Sequence, residues 1–159
     1  MEFYYAPMSC AFASHVLLED AQAVYTAKRI DLKKGDQNKP DFLKINPKGR
    51  VPALITSKGI LTETPAIMYY ICMLYPEKKL APSDPYELAE AQAFNMYLSS
   101  TVHVGHAHKH RGQRWTYDEH ALNSLTAQVK SNMTSYAEYI EKNLIKGPWV
   151  LGKNYSMCD

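Results

Sequence analysis

A single cysteine stands at the start of a predicted helix in residues 7–20, PMSCAFASHVLLED. Pro7 favours a turn, and apolar residues at helical spacing begin directly after Cys10. A thiol at a helix N-terminus is a candidate nucleophile, because the free N–H groups of the first turn favour the thiolate. A free cysteine is also a common core residue, so this segment alone leaves a reactive thiol and a packing residue both open.

The next positions limit the chemistry that Cys10 can perform. Residues 10–13, Cys-Ala-Phe-Ala, lack the second cysteine of a CxxC redox motif. The other two cysteines, Cys72 and Cys158, are far away in the sequence and show no zinc-ligand spacing, so we predict three free thiols. A reactive Cys10 would therefore need a thiol from outside the chain to resolve any disulfide that it forms.

Four histidines in the segment HVGHAHKH, at positions 103, 106, 108 and 110, raise the question of a metal site. His103, His106 and His110 share one face of a helix. No Cys, Asp or Glu joins the cluster, and Gly105 weakens a helix here, so we predict no metal ligands in this protein.

Composition excludes several classes of function. The chain has 159 residues, 46% of them hydrophobic, and needs neither disulfides nor a metal to build a core. Its net charge of +2, with both signs scattered, shows no basic stripe for nucleic acid. The N-terminus does not resemble a signal peptide, and no apolar run approaches the roughly 20 residues of a membrane span. We therefore expect a cytoplasmic protein that binds small molecules or proteins, not nucleic acid or a membrane.

The first half alternates strand and helix patterns. Strand, helix and strand at the N-terminus make a βαβ unit, and two close strands farther on suggest a hairpin. Thr64 is predicted to cap the next helix, with Pro65 as its first residue. The predicted order is β-α-β-α-β-β-α, with strands at 1–5, 25–32, 53–56 and 60–62 and helices at 10–21, 41–45 and from 64 onward.

The second half is predicted to be all helical. A charged, proline-rich stretch, PEKKLAPSDP, is typical of a linker, and helical spacing follows at 86–104 and 117–144. The last four residues, Ser156 to Asp159, have the S-x-x-D form of a helix capping box without a helix after it. From this we expect a longer natural chain, with further C-terminal helices.

These features together resemble a glutathione transferase. The most specific segments are INPKGRVPAL, ILTETPAI and WVLGKNYS-x-x-D, while the YYAPMSC start and His103 resemble the bacterial beta class. The resemblance covers essentially the whole chain. It implies a thioredoxin-like α/β domain at 1–76 that binds glutathione, a linker at 77–85, and an all-α domain at 86–159 that is incomplete at its C-terminus.

The resemblance also implies roles for individual residues. The γ-glutamyl group of glutathione would meet Glu63 and the helix start at Thr64, and its cysteinyl part would pair with the backbone of Val51 beside a cis Pro52. The residues implied in glutathione binding are Lys33, Lys34, Arg50, Val51, Pro52, Glu63 and Thr64, with Lys33 and Lys34 as alternatives for the glycyl carboxylate. Cys10, Ser9 and His103 are implied as catalytic, with either Ser9 or Cys10 stabilising the glutathione thiolate.

The implied activity is that of a cytoplasmic, homodimeric detoxification enzyme. Glutathione serves as co-substrate without any further cofactor, and is added to small hydrophobic electrophiles or exchanged in thiol–disulfide reactions through Cys10. The alternative is a noncatalytic binding or interaction protein that keeps the same fold.

Overall fold

A computed structural model describes all of residues 1–159. The chain divides into two compact units, Met1–Ala81 and Pro82–Asp159. The boundary between them lies within the stretch 77–85, where proline and charge predicted a linker. The first unit is a mixed α/β structure and the second is helical, which confirms the predicted fold class.

A four-stranded sheet forms the centre of the first unit. Its strands are β1 (Glu2–Tyr5), β2 (Thr26–Arg29), β3 (Ala53–Thr56) and β4 (Gly59–Thr62), in the order β2-β1-β3-β4. β1 is parallel to β2 and antiparallel to β3, and β3 is antiparallel to β4. The predicted βαβ unit and hairpin are therefore confirmed. Gly59, at a φ of 136°, supplies a backbone conformation in the hairpin turn that other residues rarely adopt.

Three helices accompany this sheet: α1 (Ala11–Asp20), α2 (Pro40–Leu43) and α3 (Thr64–Leu74). α1 contacts both β1 and α3, and together they enclose the core. The large apolar side chains that are fully buried come from β1, α1, β3 and α3: Phe3, Leu18, Leu54, Ile67 and Ile71. This core fixes the start of α1 and the start of α3 relative to the sheet.

The second unit contains α4 (Pro85–Tyr97), α5 (His103–Arg111) and α6 (Glu119–Asn143). A π-helical segment, Leu98–Val102, joins α4 to α5, so the predicted helix 86–104 in fact continues to Arg111. The helix α5 forms through Gly105. A Cβ atom at Gly105 would lie 2.8 Å from Cε2 of Tyr136, so any larger residue there would require the Tyr136 ring to move away from α5.

The S-x-x-D segment at 156–159 forms hydrogen bonds of the capping type. The Asp159 carboxylate accepts from the backbone N–H of Ser156 at 2.9 Å, and the Ser156 hydroxyl accepts from the N–H of Cys158 at 3.2 Å. A second oxygen of Asp159 accepts from the N–H of Val150 at 2.7 Å. These bonds tie residues 156–159 to the loop that follows α6.

None of the helices combines the length and the apolar character that crossing a bilayer requires.

Candidate functional site

Cys10 lies immediately before α1, and its side chain is exposed. Its Sγ donates a weak hydrogen bond to the carbonyl oxygen of Val51, 3.6 Å away. The Val51–Pro52 peptide bond is cis, as the resemblance implied, and Pro52 is buried. The backbone N–H of Val51 forms no hydrogen bond within the chain. An accessible thiol therefore lies beside a stretch of backbone that can still pair with a ligand.

Ser9 has a different environment from Cys10. Its hydroxyl donates a 2.7 Å hydrogen bond to the carbonyl of Ala6 and accepts one of 3.3 Å from the N–H of Ala11. The carbonyl of Ser9 also accepts from the N–H of Phe12. The only proton of the Ser9 hydroxyl is thus directed into the turn before α1, and Ser9 stabilises that turn.

Glu63 and Thr64 lie at the start of α3. The helix begins at Thr64 and its N-cap is Glu63, so the prediction that Thr64 is the capping residue is wrong by one position. The Thr64 hydroxyl instead donates to the carbonyl of Cys10 at 3.4 Å, which connects the starts of α3 and α1. The structure therefore brings Cys10, Val51 and Thr64 together.

The backbone of Glu63 has a φ of 72° and a ψ of 121°, an unusual conformation for a residue with a side chain. Such a conformation costs on the order of 1–3 kcal/mol and persists only where the surrounding structure imposes it. The Glu63 side chain is 67% exposed. The strained backbone holds an accessible carboxylate next to the first turn of α3.

Lys48 is a member of this cluster that the sequence interpretation missed. Its Nζ lies 2.5 Å from Oε1 of Glu63 and 2.7 Å from the hydroxyl oxygen of Thr62. Lys48 belongs to the INPKGRVPAL segment, but no local pattern indicates a partner 15 positions away in the sequence. The only available signal was its position close to Val51.

Asn46 organises the loop that carries Lys48, Arg50 and Val51. Its side chain is 1% exposed, its Nδ2 donates to the carbonyl of Arg50 at 2.6 Å, and its Oδ1 accepts from the N–H of Lys48 at 3.2 Å. The Arg50 side chain is exposed. The buried amide of Asn46 thus has hydrogen-bond partners for both its nitrogen and its oxygen, and it stabilises the loop conformation before the cis peptide bond.

Lys33 and Lys34 lie in the turn after β2 and are both exposed. The backbone N–H groups of both residues donate to Oδ1 of Asp31, at 3.0 Å and 3.2 Å. Neither ammonium group forms an ion pair within the chain, whereas the neighbouring Lys39 is paired with Asp36 at 2.6 Å. Both lysines are equally available to an anionic ligand, and neither contacts the cluster around Cys10.

His103 belongs to the second unit, at the first position of α5, and is half-buried. Its Nε2 lies 3.4 Å from Nη2 of Arg111, eight positions farther along the same helix. His108 packs edge-on against the Trp115 ring at a centroid distance of 4.5 Å. No group of three or more His, Cys, Asp or Glu side chains is arranged to hold a metal ion.

Comparison with known proteins identifies the family. Residues 1–72 match the glutathione S-transferase N-terminal domain. The chain is 29% identical over its whole length to glutathione S-transferase GstA of Escherichia coli O157:H7, covering 77% of that protein. It is 30% identical over 99% of its length to glutathione S-transferase Z2 of Arabidopsis thaliana, covering 70% of it. The disulfide-bond oxidoreductase YfcG of Escherichia coli K12 is 25% identical over the whole chain, which covers 75% of that protein.

Solved structures agree with this assignment. A glutathione transferase homologue from Sulfitobacter with bound glutathione is 40% identical and superposes with a TM-score of 0.95, over 99% of this chain and 76% of that one. A bacterial beta class glutathione S-transferase from Sphingomonas chungbukensis is 26% identical with a TM-score of 0.83, over 99% and 77% of the two chains. The chain belongs to the glutathione S-transferase family of enzymes, and beta class members are among its structural neighbours.

Proposed function

We propose that the first unit binds glutathione along the cluster formed by Cys10, Val51, Glu63 and Thr64. One observation carries the proposal: the accessible Sγ of Cys10 lies 3.6 Å from the Val51 carbonyl, while the Thr64 hydroxyl reaches the Cys10 carbonyl. The Sulfitobacter structure, 40% identical, contains bound glutathione, which supports the same ligand for this chain.

Each part of glutathione has a chemically matched partner in this cluster. The free N–H and the carbonyl of Val51 can pair with the cysteinyl part as an added strand, which places its sulfur beside Cys10. Glu63 supplies a negative charge for the γ-glutamyl ammonium, and the start of α3 attracts the carboxylate beside it. Lys33 or Lys34, neither of which forms an ion pair, binds the glycyl carboxylate. Pro52 keeps the Val51 backbone in place through the cis peptide bond, and Arg50 lies on the other side of Val51 in the sequence.

The proposed main reaction is addition of glutathione to a small apolar electrophile. The glutathione thiolate attacks the electrophilic carbon, the new carbon–sulfur bond forms, and the leaving group departs with its electron pair. Cys10 is better placed than Ser9 to stabilise that thiolate, because its exposed Sγ forms only a weak 3.6 Å hydrogen bond to Val51, whereas the Ser9 hydroxyl donates to Ala6 at 2.7 Å. Two exposed apolar side chains, Met8 and Phe12, flank Cys10 and favour an apolar partner. His103 remains a proposed catalytic residue.

Thiol–disulfide exchange through Cys10 is a second proposed activity. The Cys10 thiolate attacks the glutathione sulfur of a protein–glutathione disulfide and releases the protein thiol. A glutathione thiolate then attacks the glutathione sulfur of the Cys10–glutathione disulfide, which forms oxidised glutathione and releases the Cys10 thiolate. The protein–glutathione disulfide is thereby reduced, and glutathione is the electron donor. The absence of a second cysteine at position 13 and the similarity to a disulfide-bond oxidoreductase support this activity.

Binding and turnover measured together test this function. We expect the protein to be retained on immobilised glutathione, to conjugate 1-chloro-2,4-dinitrobenzene, and to reduce hydroxyethyl disulfide with glutathione as electron donor. Retention without turnover of either substrate would instead establish the noncatalytic binding protein. Failure of both retention and turnover would contradict glutathione recognition itself.

A homodimer is the proposed assembly. Exposed apolar side chains occur on β4 and α3 of the first unit, at Ile60, Tyr69 and Met73, and on α4 of the second unit, at Tyr86 and Met96. Exposed apolar residues in this number favour burial against another protein surface. Light scattering at micromolar concentration is expected to give twice the mass of the chain, and a monomer mass would contradict the dimer.

The cytoplasm is the proposed compartment. All three cysteines are free thiols, and the proposed chemistry needs Cys10 reduced at the start of each cycle. Cytosolic glutathione keeps such thiols reduced.

A further inference from the structure

The ion pair between Lys48 and Glu63 is held in place from several directions. The Lys48 Nζ also donates to the hydroxyl of Thr62 at 2.7 Å, and its backbone N–H donates to the buried side chain of Asn46. The two charged side chains are 48% and 67% exposed, and an ion pair this exposed adds little to stability. A rigidly supported, accessible pair of opposite charges is well suited to binding a ligand that carries two charges of its own.

The γ-glutamyl end of glutathione is such a ligand. Its ammonium and its α-carboxylate are attached to the same carbon atom, so a matching site must present a negative and a positive charge side by side. Glu63 and Lys48 present those charges 2.5 Å apart, at the first turn of α3. Only Oε1 of Glu63 is engaged by Lys48, and Oε2 accepts no hydrogen bond within the chain.

We propose that Lys48 binds the α-carboxylate of the γ-glutamyl group while the free oxygen of Glu63 binds its ammonium. The four charges then alternate in sign, from Lys48 to Glu63 to the ligand ammonium to the ligand carboxylate. This inference rests on the proposed binding of glutathione and adds Lys48 to that site as a residue that determines its specificity for the free α-carboxylate.

The test compares protein variants with ligand analogues by calorimetry under reducing conditions, with weak ligands measured by competition. The ligands are glutathione, γ-aminobutyryl-cysteinyl-glycine, which lacks the α-carboxylate, and glutaryl-cysteinyl-glycine, which lacks the amino group. The variants are Lys48→Met, Lys48→Arg and Glu63→Gln. Lys58→Met, at an exposed lysine of the hairpin turn without an ion pair, is the matched control.

Lys48→Met is expected to weaken glutathione binding about tenfold, since a charge-assisted hydrogen bond is lost at a partly exposed site. It is expected to leave the affinity for the analogue without the α-carboxylate unchanged, because that analogue has nothing for Lys48 to bind. Glu63→Gln should weaken the binding of glutathione but leave the affinity for the analogue without the amino group unchanged, because that analogue has no ammonium for Glu63 to bind. Lys48→Arg should restore most of the affinity, and Lys58→Met should bind as the wild type does.

Three results would overturn the inference. Unchanged glutathione binding by Lys48→Met would make the ion pair a surface contact only, and tighter binding would make Lys48 a competitor of the ligand ammonium. An equal loss for all three ligands would mean that Lys48 supports the loop rather than the carboxylate. If the wild type binds no glutathione, the proposed function fails together with this inference, whereas in the other cases the function stands.

Discussion

Cys10→Ala is expected to abolish glutathione-dependent disulfide reduction, with a loss of at least about a hundredfold, because the attacking sulfur is removed. Conjugation is expected to fall much less, by about tenfold or under. In the proposed binding mode the glutathione thiolate still lies beside Val51 and the positive end of the α1 dipole, and loses only the hydrogen bond from the Cys10 thiol. The two activities, measured on the same preparations, should therefore separate in this variant.

Mass spectrometry after incubation with oxidised glutathione gives an independent measurement. The wild type is expected to gain one glutathione, mapped to Cys10, and Cys10→Ala to gain none. Cys72 and Cys158 are internal controls because both are buried. Burial raises the pKa of the Cys158 thiol to about 11, and its Sγ donates to the carbonyl of Ala91, so at pH 7.5 it remains a protonated, inert thiol.

Ser9→Ala is the matched comparison for Cys10→Ala. Its hydroxyl stabilises the turn before α1, so its loss should lower the free energy of unfolding by about 1 kcal/mol and reduce both activities in parallel. Adducts that form only at Cys72 or Cys158 would show that Cys10 is not the nucleophile. Loss of conjugation alone in Ser9→Ala would show that the hydroxyl, not the thiol, serves the glutathione thiolate.

Asn46→Ala is expected to lower the free energy of unfolding by about 2–3 kcal/mol. The substitution removes two hydrogen bonds and leaves the Arg50 carbonyl and the Lys48 N–H without their buried partner. Because the same loop positions Lys48 and Val51, glutathione affinity should fall as well, even at temperatures where the variant is fully folded.

Denaturant unfolding and calorimetric titration measure these two effects. Asn154→Ala, at an exposed asparagine outside any helix or strand, is the control and is expected to stay within about 0.5 kcal/mol of the wild type. If Asn46→Ala has the same free energy of unfolding as the wild type, water replaces the amide group at no cost. Full affinity in a destabilised Asn46→Ala would show that the loop conformation does not depend on Asn46.

The elements and their order follow from local features of the sequence. Short β-prone runs indicated the strands, two such runs close together indicated the hairpin, and the proline-rich, charged stretch 77–85 was predicted as the linker. These features depend on local backbone preference and on the spacing of apolar residues, which are properties of neighbouring positions. Cys10 at the start of a helix was predictable for the same reason.

Contacts between distant residues depend on how the elements pack in three dimensions. The bonds from Cys10 to Val51 and from Thr64 to Cys10 join residues 41 and 54 positions apart, and they depend on how α1, α3 and the sheet pack. The same packing makes Glu63 rather than Thr64 the N-cap, and brings Lys48 to Glu63. Likewise Gly105 is unfavourable in an isolated helix, but it leaves room for the Tyr136 ring of α6 against α5, a contact that helix propensity alone does not indicate.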